Sequence, residues 1–171
     1  MLGLGFHRYR KQGQNEPNRF AEHMTEAPGT YHSSNNPVGL YGHHYFGNFN
    51  LATDADDFTT VDASKTVSSG RLRVRASDVN GHVYISVAVL PGRLYDFACL
   101  FDPTSQGNDN GWMKIGTAAN DGTYASQIYN SQNTLFKKQF TMGAVSTCVL
   151  SLGLNGNTRT VYFDNISLKL A

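Results

Sequence analysis

Apolar side chains recur at every second position in several segments of the chain. In Arg71–Ala76 they alternate with arginines, and the odd positions of 83–89 and 95–101 all carry apolar or aromatic side chains. The same period returns at the even positions of 148–154. A period of two is typical of strands with one buried and one solvated face. The pattern therefore predicts an antiparallel β-protein.

Turn-forming dipeptides stand between these segments. Pro91-Gly92 separates two of them, and Asn110-Gly111, Asp121-Gly122 and Asn155-Gly156 precede further apolar stretches. Proline presets φ, while glycine and asparagine accept the positive φ that tight hairpins need. We therefore predict eight or nine short strands that form an all-β antiparallel sandwich of the jelly-roll kind.

The last apolar segment changes its phase part-way along. Apolar residues occupy odd positions at Val161 and Phe163 but even positions from Ile166 to Leu170. A strand cannot move its buried side chains to the other parity without a bulge or a bend. We therefore predict an irregularity at Asp164-Asn165.

Residues 1–45 show neither the strand period nor the helix period. Pro17, Pro28 and Pro37 would interrupt any regular element. A segment with few aliphatic residues buries little surface alone, so it is either a disordered tail or an extended arm that becomes ordered on a partner. Its aromatic content favours the arm. The residues expected to contact the partner are Arg8, Tyr9, Arg10, Lys11, Phe20, Tyr31 and Tyr41.

Composition and charge narrow the function classes. Hydrophobic residues make up 40% of the chain and charged residues 16%, so a packed core is expected. The net charge of +1 gives no general attraction to nucleic acid or anionic lipid. The basic cluster at 8–11 is therefore expected to meet acidic groups of a protein partner. No apolar run approaches transmembrane length, and we predict neither a nucleic-acid nor a membrane partner.

Cysteine and histidine usage leaves two alternatives open. Cys99 and Cys148 lie in apolar segments, where they are either free buried thiols or a disulfide pair. Free thiols of a protein that folds in a reducing cytoplasm are the simpler interpretation, and the start of the chain has no signal-peptide pattern. His32, His43 and His44 have no Cys, Asp or Glu at ligand spacing, which favours arm contacts over a metal site.

Five short motifs follow one another along residues 46–170. They are Gly47-Asn48-Phe49-Asn50 with Phe58, Ser69-Gly70-Arg71-Leu72, Pro91-Gly92-Arg93-Leu94-Tyr95, Ile115-Gly116-Thr117-Ala118 and Phe163-Asp164-Asn165-Ile166-Ser167-Leu168. In this order they resemble the carbohydrate-binding-module-like jelly rolls that occur in structural proteins of tailed bacteriophages. The resemblance divides the chain into an extended arm, 1–45, and a jelly-roll sandwich, 46–171.

The resemblance also nominates a structural Ca²⁺ site. It places Asp164 at the ion, with Asn48 and Asn50 of the opening strand as neighbours, and calcium prefers such oxygen ligands. The alternative is that Asp164 accepts hydrogen bonds from backbone amides at the irregularity. The aspartates of 54–57 lack the Gly and Glu positions of an EF-hand loop and are expected to form a solvated turn. No other cofactor is expected.

Glycan-binding members of such folds stack sugar rings on exposed aromatic side chains. The candidate platform residues here are Trp112, Tyr84, Tyr124 and Tyr129. The alternative is that Trp112 fills the core beside Ile115, because aromatic side chains dominate sandwich cores.

The sequence contains few of the residues and motifs that enzymes use for catalysis. The sandwich region contains one histidine, His82, and no glutamate, so paired-carboxylate catalysis would depend on aspartates alone. No nucleophile elbow, phosphate-binding loop or zinc motif occurs in the sequence. We predict a protein without enzymatic activity.

Arm and sandwich, together with the resemblance to phage structural proteins, suggest a bacteriophage head decoration (cement) protein. The arm would bind the major capsid protein, and the sandwich would contact other copies as a dimer or trimer. The protein would belong to the virion and be assembled in the host cytoplasm. One alternative is a tail, baseplate or fibre component whose sandwich binds host or surface glycans; another is a carbohydrate-binding module of a secreted enzyme.

Overall fold

The computed structural model describes residues 30–32, 43–47, 49, 51–103, 110–129, 134–156 and 159–171. These residues form twelve strands and a short 3-10 helix, Ala52–Ala55. The strands are β1 (Thr30–His32), β2 (His43–Gly47), β3 (Thr59–Val61), β4 (Ala63–Ser68), β5 (Arg71–Ala76), β6 (His82–Ala88), β7 (Leu94–Pro103), β8 (Asn110–Gly116), β9 (Ala125–Tyr129), β10 (Thr134–Thr141), β11 (Thr147–Asn155) and β12 (Thr160–Leu170).

The strands form two antiparallel sheets that pack face to face. The smaller sheet has the order β3-β6-β11-β8-β9. In the larger, seven-stranded sheet, β12 is central: β7 pairs along one side, while β5 and then β2 pair along the other. Strands β10, β4 and β1 flank β7, β5 and β2. The predicted all-β antiparallel sandwich is confirmed.

The core lies between the sheets and follows the alternation seen in the sequence. It is lined by aliphatic and aromatic side chains of both sheets, among them Leu72, Val74, Val83, Ile85, Val87, Tyr95, Phe97, Phe101, Met113, Ile115, Leu150, Leu152, Phe163, Ile166 and Leu168. Phe101 and Phe163 of neighbouring strands in the larger sheet lie 5.7 Å apart between ring centroids. Burying each large apolar side chain contributes about 1.5–3 kcal/mol, so this interface dominates the stability of the fold.

The larger sheet begins before residue 46. Strand β2 crosses the predicted boundary between arm and sandwich, and Tyr45 is fully buried against Phe58, with ring centroids 5.9 Å apart. Residues 30–32 extend the sheet by pairing with β2. The sequence shows no period there because strands of three and five residues are too short to display one.

The predicted irregularity in the last strand is confirmed. The register between β12 and β7 shifts between Asp164 and Ser167, and Asn165 has a φ of 48°. At the same place β12 changes its neighbour from β5 to β2. The bulge lets Phe163 and Ile166 both face the core although their positions differ in parity.

Both cysteines are free and buried. Cys99 lies on β7 and Cys148 on β11, so they belong to opposite sheets. Burial in apolar surroundings raises the pKa of the Cys148 thiol to about 12, and it raises that of Cys99 as well. The interpretation as free buried thiols is confirmed, and the disulfide alternative is wrong.

Candidate functional site

The outer face of the five-stranded sheet carries two registered rows of side chains. The first, here called the Trp112 row, runs across all five strands as Val61, His82, Gly153, Trp112 and Ile128. The second, the Tyr84 row, consists of Thr59, Tyr84, Ser151, Lys114 and Ser126. A solvated sheet face usually carries small polar or charged residues, whereas this one carries rings along its middle strands.

Trp112 lies on this outer face although only 2% of its surface is exposed. Its neighbours Gly111 and Met113 face the core, so the pleat of β8 turns the indole to the other side. A Cβ atom at Gly153 would lie 2.4 Å from Cζ2 of Trp112. Because glycine has no side chain, the indole lies directly against β11 and reaches His82, with 5.4 Å between ring centroids.

His82 and Tyr84 stand on β6 beside the indole. The imidazole Nδ1 of His82 lies 2.9 Å from the carbonyl oxygen of Asn80, and its ring centroid is 6.4 Å from that of Tyr84. His82 is 5% exposed, while Tyr84 is half-buried. The two rings and the indole form one continuous aromatic cluster on the face of the sheet.

The loop between β8 and β9 closes one side of the cluster. The Lys114 ammonium lies 4.8 Å from the centroid of the Trp112 ring and donates a hydrogen bond of 2.7 Å to Oδ1 of Asn120. The backbone N–H of Asn120 donates to Oγ of the fully buried Ser151 at 3.0 Å. The loop is therefore anchored to the Tyr84 row, and a cation lies against the indole.

Asp121 holds this loop in shape. Its Oδ1 accepts hydrogen bonds from the backbone N–H and hydroxyl of Thr123, at 3.0 and 2.7 Å. Its Oδ2 accepts from the backbone N–H and hydroxyl of Thr117, at 2.7 and 3.0 Å. These donors, with the Thr123 hydroxyl contributing most, lower the pKa of the Asp121 carboxyl from 3.8 to about 2.

Of the candidate platform residues, the structure brings Trp112 and Tyr84 into the outer cluster but not Tyr124. Trp112 belongs to the outer cluster, and its low exposure leaves no open indole face for stacking. Tyr124 instead packs against the core, and a Cβ at Gly143 would lie 2.7 Å from its hydroxyl. The side chain of Tyr129 lies outside the described residues. Trp112 is buried, as its alternative place in the core implied, but it lies on the side of β8 opposite to Ile115, because the two positions differ in parity.

The predicted calcium ligands are described only in part. Asp164 is half-buried, and its Oδ1 accepts a hydrogen bond of 2.7 Å from the backbone N–H of Asn165. Burial raises the pKa of Asp164 in spite of this bond and of the nearby Arg71 charge. Asn48 and Asn50 lie outside the described residues. Within the described residues no group of three His, Cys, Asp or Glu side chains could hold a metal ion.

The aspartates of 54–57 divide between two environments. Asp54 is buried and its Oδ2 accepts a hydrogen bond of 2.9 Å from the backbone N–H of Leu51 at the start of the 3-10 helix. Asp56 and Asp57 are exposed. The predicted solvated turn is therefore correct for these two residues, whereas Asp54 stabilises the helix end.

Most predicted contact residues of the arm lie outside the described residues, namely Arg8, Tyr9, Arg10, Lys11, Phe20 and Tyr41. The backbone of Tyr31 belongs to β1, opposite Phe46. His32 lies in β1, and His43 and His44 lie in β2. The surface that these residues contact stays a prediction.

The outer face of the larger sheet is organised differently. The guanidinium of Arg71 on β5 crosses Tyr162, with Cζ 4.4 Å from the ring centroid, and forms an ion pair with Oδ2 of Asp102 on β7. Further along, Nε2 of Gln139 donates to Oδ1 of Asp96 at 3.0 Å. Arg71, Asp102 and Asp96 on this face therefore have partners within the protein.

Sequence reasoning missed His82, Lys114 and Gly153 as members of a site. Lys114 carried a usable signal, because it shares the parity of Trp112 on β8 and a lysine marks the solvated face. Extending this parity to the neighbouring strands requires the register, which the sequence does not contain.

Solved structures share this architecture, although no protein-family model and no curated protein matches the sequence. The CBM22-1 xylan-binding domain of Xyn10C from Paenibacillus barcinonensis is 12% identical, with a TM-score of 0.57 over 73% of this chain and 92% of that one. The N-terminal cellulose-binding domain of β-1,4-glucanase C from Cellulomonas fimi is 16% identical, with a TM-score of 0.54 over 68% and 90%. A CBM4 structure is 15% identical, with a TM-score of 0.54 over 71% and 100%.

This likeness establishes the fold as the jelly roll of carbohydrate-binding modules. The fold part of the resemblance noted in the sequence is confirmed, but nothing in these structures links the chain to bacteriophage structural proteins. That this chain has no enzymatic activity stays a prediction. Among the described residues, no helix is long and apolar enough to cross a membrane.

Proposed function

We propose that this protein is a carbohydrate-binding module and that a glycan binds on the outer face of its five-stranded sheet. The observation that carries the proposal is the aromatic cluster of His82, Tyr84 and Trp112 on a sheet face that a simple structural role would leave polar. Fold alone does not define function, so the proposed glycan binding rests on the chemistry of this face.

The face offers both kinds of contact that a sugar needs. Exposed apolar groups lie at the two edges of the sheet, Val61, which is 36% exposed, and Ile128, which is 57% exposed, while the positions of the Trp112 row between them are buried. Between them the half-buried Tyr84 and Lys114 present a hydroxyl and an ammonium group. Carbohydrate sites combine apolar and aromatic surface for the C–H faces of a ring with a few polar groups that set its orientation. Trp112 is buried beneath this surface and does not offer an open face on which a sugar ring could stack.

The similar structures suggest which glycans to test first. They include a xylan-binding and a cellulose-binding domain, so β-1,4-linked xylan and glucan chains are the natural first probes.

The test is a glycan array with the full chain, followed by calorimetry with each oligosaccharide that binds. Tyr84→Ala and Lys114→Ala should each weaken binding about tenfold, since each removes polar contacts worth roughly 1.4 kcal/mol. Arg73→Ala, on the outer face of the larger sheet, is the matched control and should bind as the wild type does. A wild-type protein that binds no glycan, or variants that bind unchanged, would contradict the proposal.

Placement of this module on a virion stays a prediction. The head-decoration hypothesis depends on residues 1–45, and the similar structures offer no support for a capsid partner. A glycan-binding sandwich agrees better with the alternative of a tail, baseplate or fibre component. Labelling of phage particles with an antibody against this chain would separate these positions, and the absence of the protein from particles would eliminate both.

The structural calcium ion is a separate proposal. A cation beside Asp164 would offset the burial that raises the pKa of this carboxyl. Calcium should then raise the melting temperature of the wild type, and Asp164→Asn should remove that response. An unchanged melting temperature after addition of a chelator would rule the site out.

A further inference from the structure

Strand β4 forms an edge of the larger sheet. It pairs with β5 over six residues, from Ala63 opposite Ala76 to Ser68 opposite Arg71, and no other described strand pairs with it. None of its six residues is buried. In an antiparallel pair, every second residue turns its N–H and C=O groups away from the partner strand. On β4 these groups form an edge with which another polypeptide strand can pair.

The side chains that usually protect an edge strand do not protect β4. Its register with β5 contains no bulge, and its sequence contains no proline. Its one charged residue, Lys65, donates hydrogen bonds from Nζ to the carbonyl oxygens of Asp56 and Phe58. Lys65 shares the parity of Val67, which packs against the core, so this lysine is turned to the inner side. The edge therefore has no charge that would repel an incoming strand.

The neighbouring strand β5 carries a row of arginines on its outer face. Arg71, Arg73 and Arg75 alternate with buried residues, so neighbouring members of the row stand about 7 Å apart. Arg71 forms an ion pair with Asp102 and lies over Tyr162. Arg73 is half-buried and Arg75 exposed, and neither has a carboxylate partner among the described residues. These two like charges repel each other, and a carboxylate placed beside them would be stabilised.

Small hydroxyl side chains separate the two unpaired arginines from the edge. Thr66 stands opposite Arg73 and Ser64 opposite Arg75, and both are exposed. A strand added to β4 would lie two strand spacings, about 10 Å, from β5. Acidic side chains on its outer face would extend over Thr66 and Ser64 toward the two guanidinium groups. Because strand side chains alternate between faces, an acidic residue at every second position would meet both arginines.

The free edge and the arginine row together select one class of partner. Backbone N–H and C=O groups that match an edge strand are supplied by an extended polypeptide and not by a glycan. Unpaired guanidinium groups bind carboxylates, often through two parallel hydrogen bonds. We propose that β4 binds an extended polypeptide segment with Asp or Glu at alternate positions, whose carboxylates pair with Arg73 and Arg75. This site lies on the sheet opposite to the proposed glycan site and is independent of it.

The first experiment measures binding of designed peptides to the full chain by fluorescence anisotropy. The probe is a labelled heptapeptide in which glutamate alternates with threonine, with both ends blocked. A second peptide has lysine in place of glutamate, and a third has the same composition as the probe with its glutamates adjacent. We expect the alternating glutamate peptide to bind, the third to bind more weakly and the lysine peptide not to bind.

Two double variants with the same change in net charge test the location. Arg73→Gln with Arg75→Gln should weaken binding of the glutamate peptide about tenfold, because two partly exposed ion pairs are lost. Lys137→Gln with Lys138→Gln, on the exposed part of the edge strand β10, is the matched control and should leave the affinity unchanged. All four positions are solvent-accessible, so neither variant alters the core.

Hydrogen exchange of the ¹⁵N-labelled wild type, followed by NMR, tests the backbone pairing. The N–H groups of alternate residues in Ala63–Ser68, those that face away from β5, should exchange more slowly when the glutamate peptide is bound. Attraction between charges alone would not protect them. This measurement requires no variant.

Each of the following results would overturn the proposal. The glutamate peptide does not bind the wild type, it binds the arginine double variant as tightly as the wild type, or it binds without protecting the N–H groups of β4. Hexagalacturonate, an acidic glycan without peptide groups, is the remaining probe. If it binds at Arg73 and Arg75 as tightly as the peptide does, the choice of a polypeptide partner is wrong.

Discussion

The two outer faces of the sandwich differ in how their polar groups are satisfied. On the larger sheet, Arg71 covers Tyr162 and pairs with Asp102, so charge and ring are matched inside the protein. On the five-stranded sheet, rings are packed together while Nε2 of His82 has no partner among the described residues. The comparison teaches that Arg71, Tyr162 and Asp102 satisfy one another on the larger sheet, whereas a buried ring nitrogen on the five-stranded sheet has no partner among the described residues.

The largest expected effect tests whether the outer cluster is a structural unit at all. Trp112→Ala removes a nearly fully buried indole and should lower the free energy of unfolding by about 3–5 kcal/mol. Urea denaturation followed by circular dichroism measures this change. Trp112→Phe, which keeps a ring against Gly153 and His82, should cost clearly less. A loss below about 1 kcal/mol for Trp112→Ala would show that the indole contributes little packing.

Close approach of the indole to β11 gives the second prediction. Gly153→Ala places a Cβ atom where Cζ2 of Trp112 lies, so the ring must shift, at a cost of about 1–3 kcal/mol. Trp112 is the sole tryptophan, so its fluorescence spectrum should change along with the stability. Thr147→Ala, an exposed change on the same strand, should alter neither. A Gly153→Ala protein with wild-type fluorescence would refute the packing described for this face.

The ion pair of the larger sheet should matter less. Its side chains retain 29% and 23% exposure, so solvent screens their attraction, and Asp102→Asn should cost about 0.5–1 kcal/mol. The loss should shrink in high salt, and glycan binding should not change. Asp96→Asn on the same strand is the control for a carboxylate whose hydrogen-bond donor, the Gln139 amide, is uncharged. An effect of Asp102→Asn on glycan affinity would mean that the two faces are coupled.

The smallest effect concerns acid stability of the loop at the Trp112 cluster. The folded-state pKa of Asp121, about 2, lies below its ordinary value of 3.8, so the ionised carboxyl stabilises the fold. This contribution is present above about pH 4 and is lost as the pH falls toward 2. Melting temperatures measured across this range should fall more steeply for the wild type than for Asp121→Asn. Parallel curves would show that the four hydrogen bonds do not favour the ionised form.

Much of the fold is predictable because it depends on local patterns. Alternation in β5, β6, β7 and β11 identifies strands, and the parity change at Asp164-Asn165 is enough to locate the bulge. Strand β2 escapes recognition, because its assignment depends on pairing with β12, a strand distant in sequence. Short strands gain their stability from such tertiary contacts rather than from their own sequence.

The candidate site is less predictable. Trp112 stands out in the sequence as the sole tryptophan. Tyr124 and Tyr129 were predicted to bind a glycan only because they are aromatic. Tyr124 packs against the core. The ring that contacts the indole is that of His82, a residue that the sequence analysis considered only as the single histidine of the sandwich region. A site on a sheet face combines residues from several strands, and only the register between strands decides which of them are neighbours.

By itself, the sequence determined the class of fold, the approximate position of most strands and the bulge in β12. These follow from the period of two and from turn residues, which act over a few neighbouring positions. The tertiary structure alone decided that Gly153 separates His82 from Trp112, and that the two rings meet across it. Pairing of β6, β11 and β8 is non-local, and a shift of one residue would have turned every one of these side chains to the opposite face.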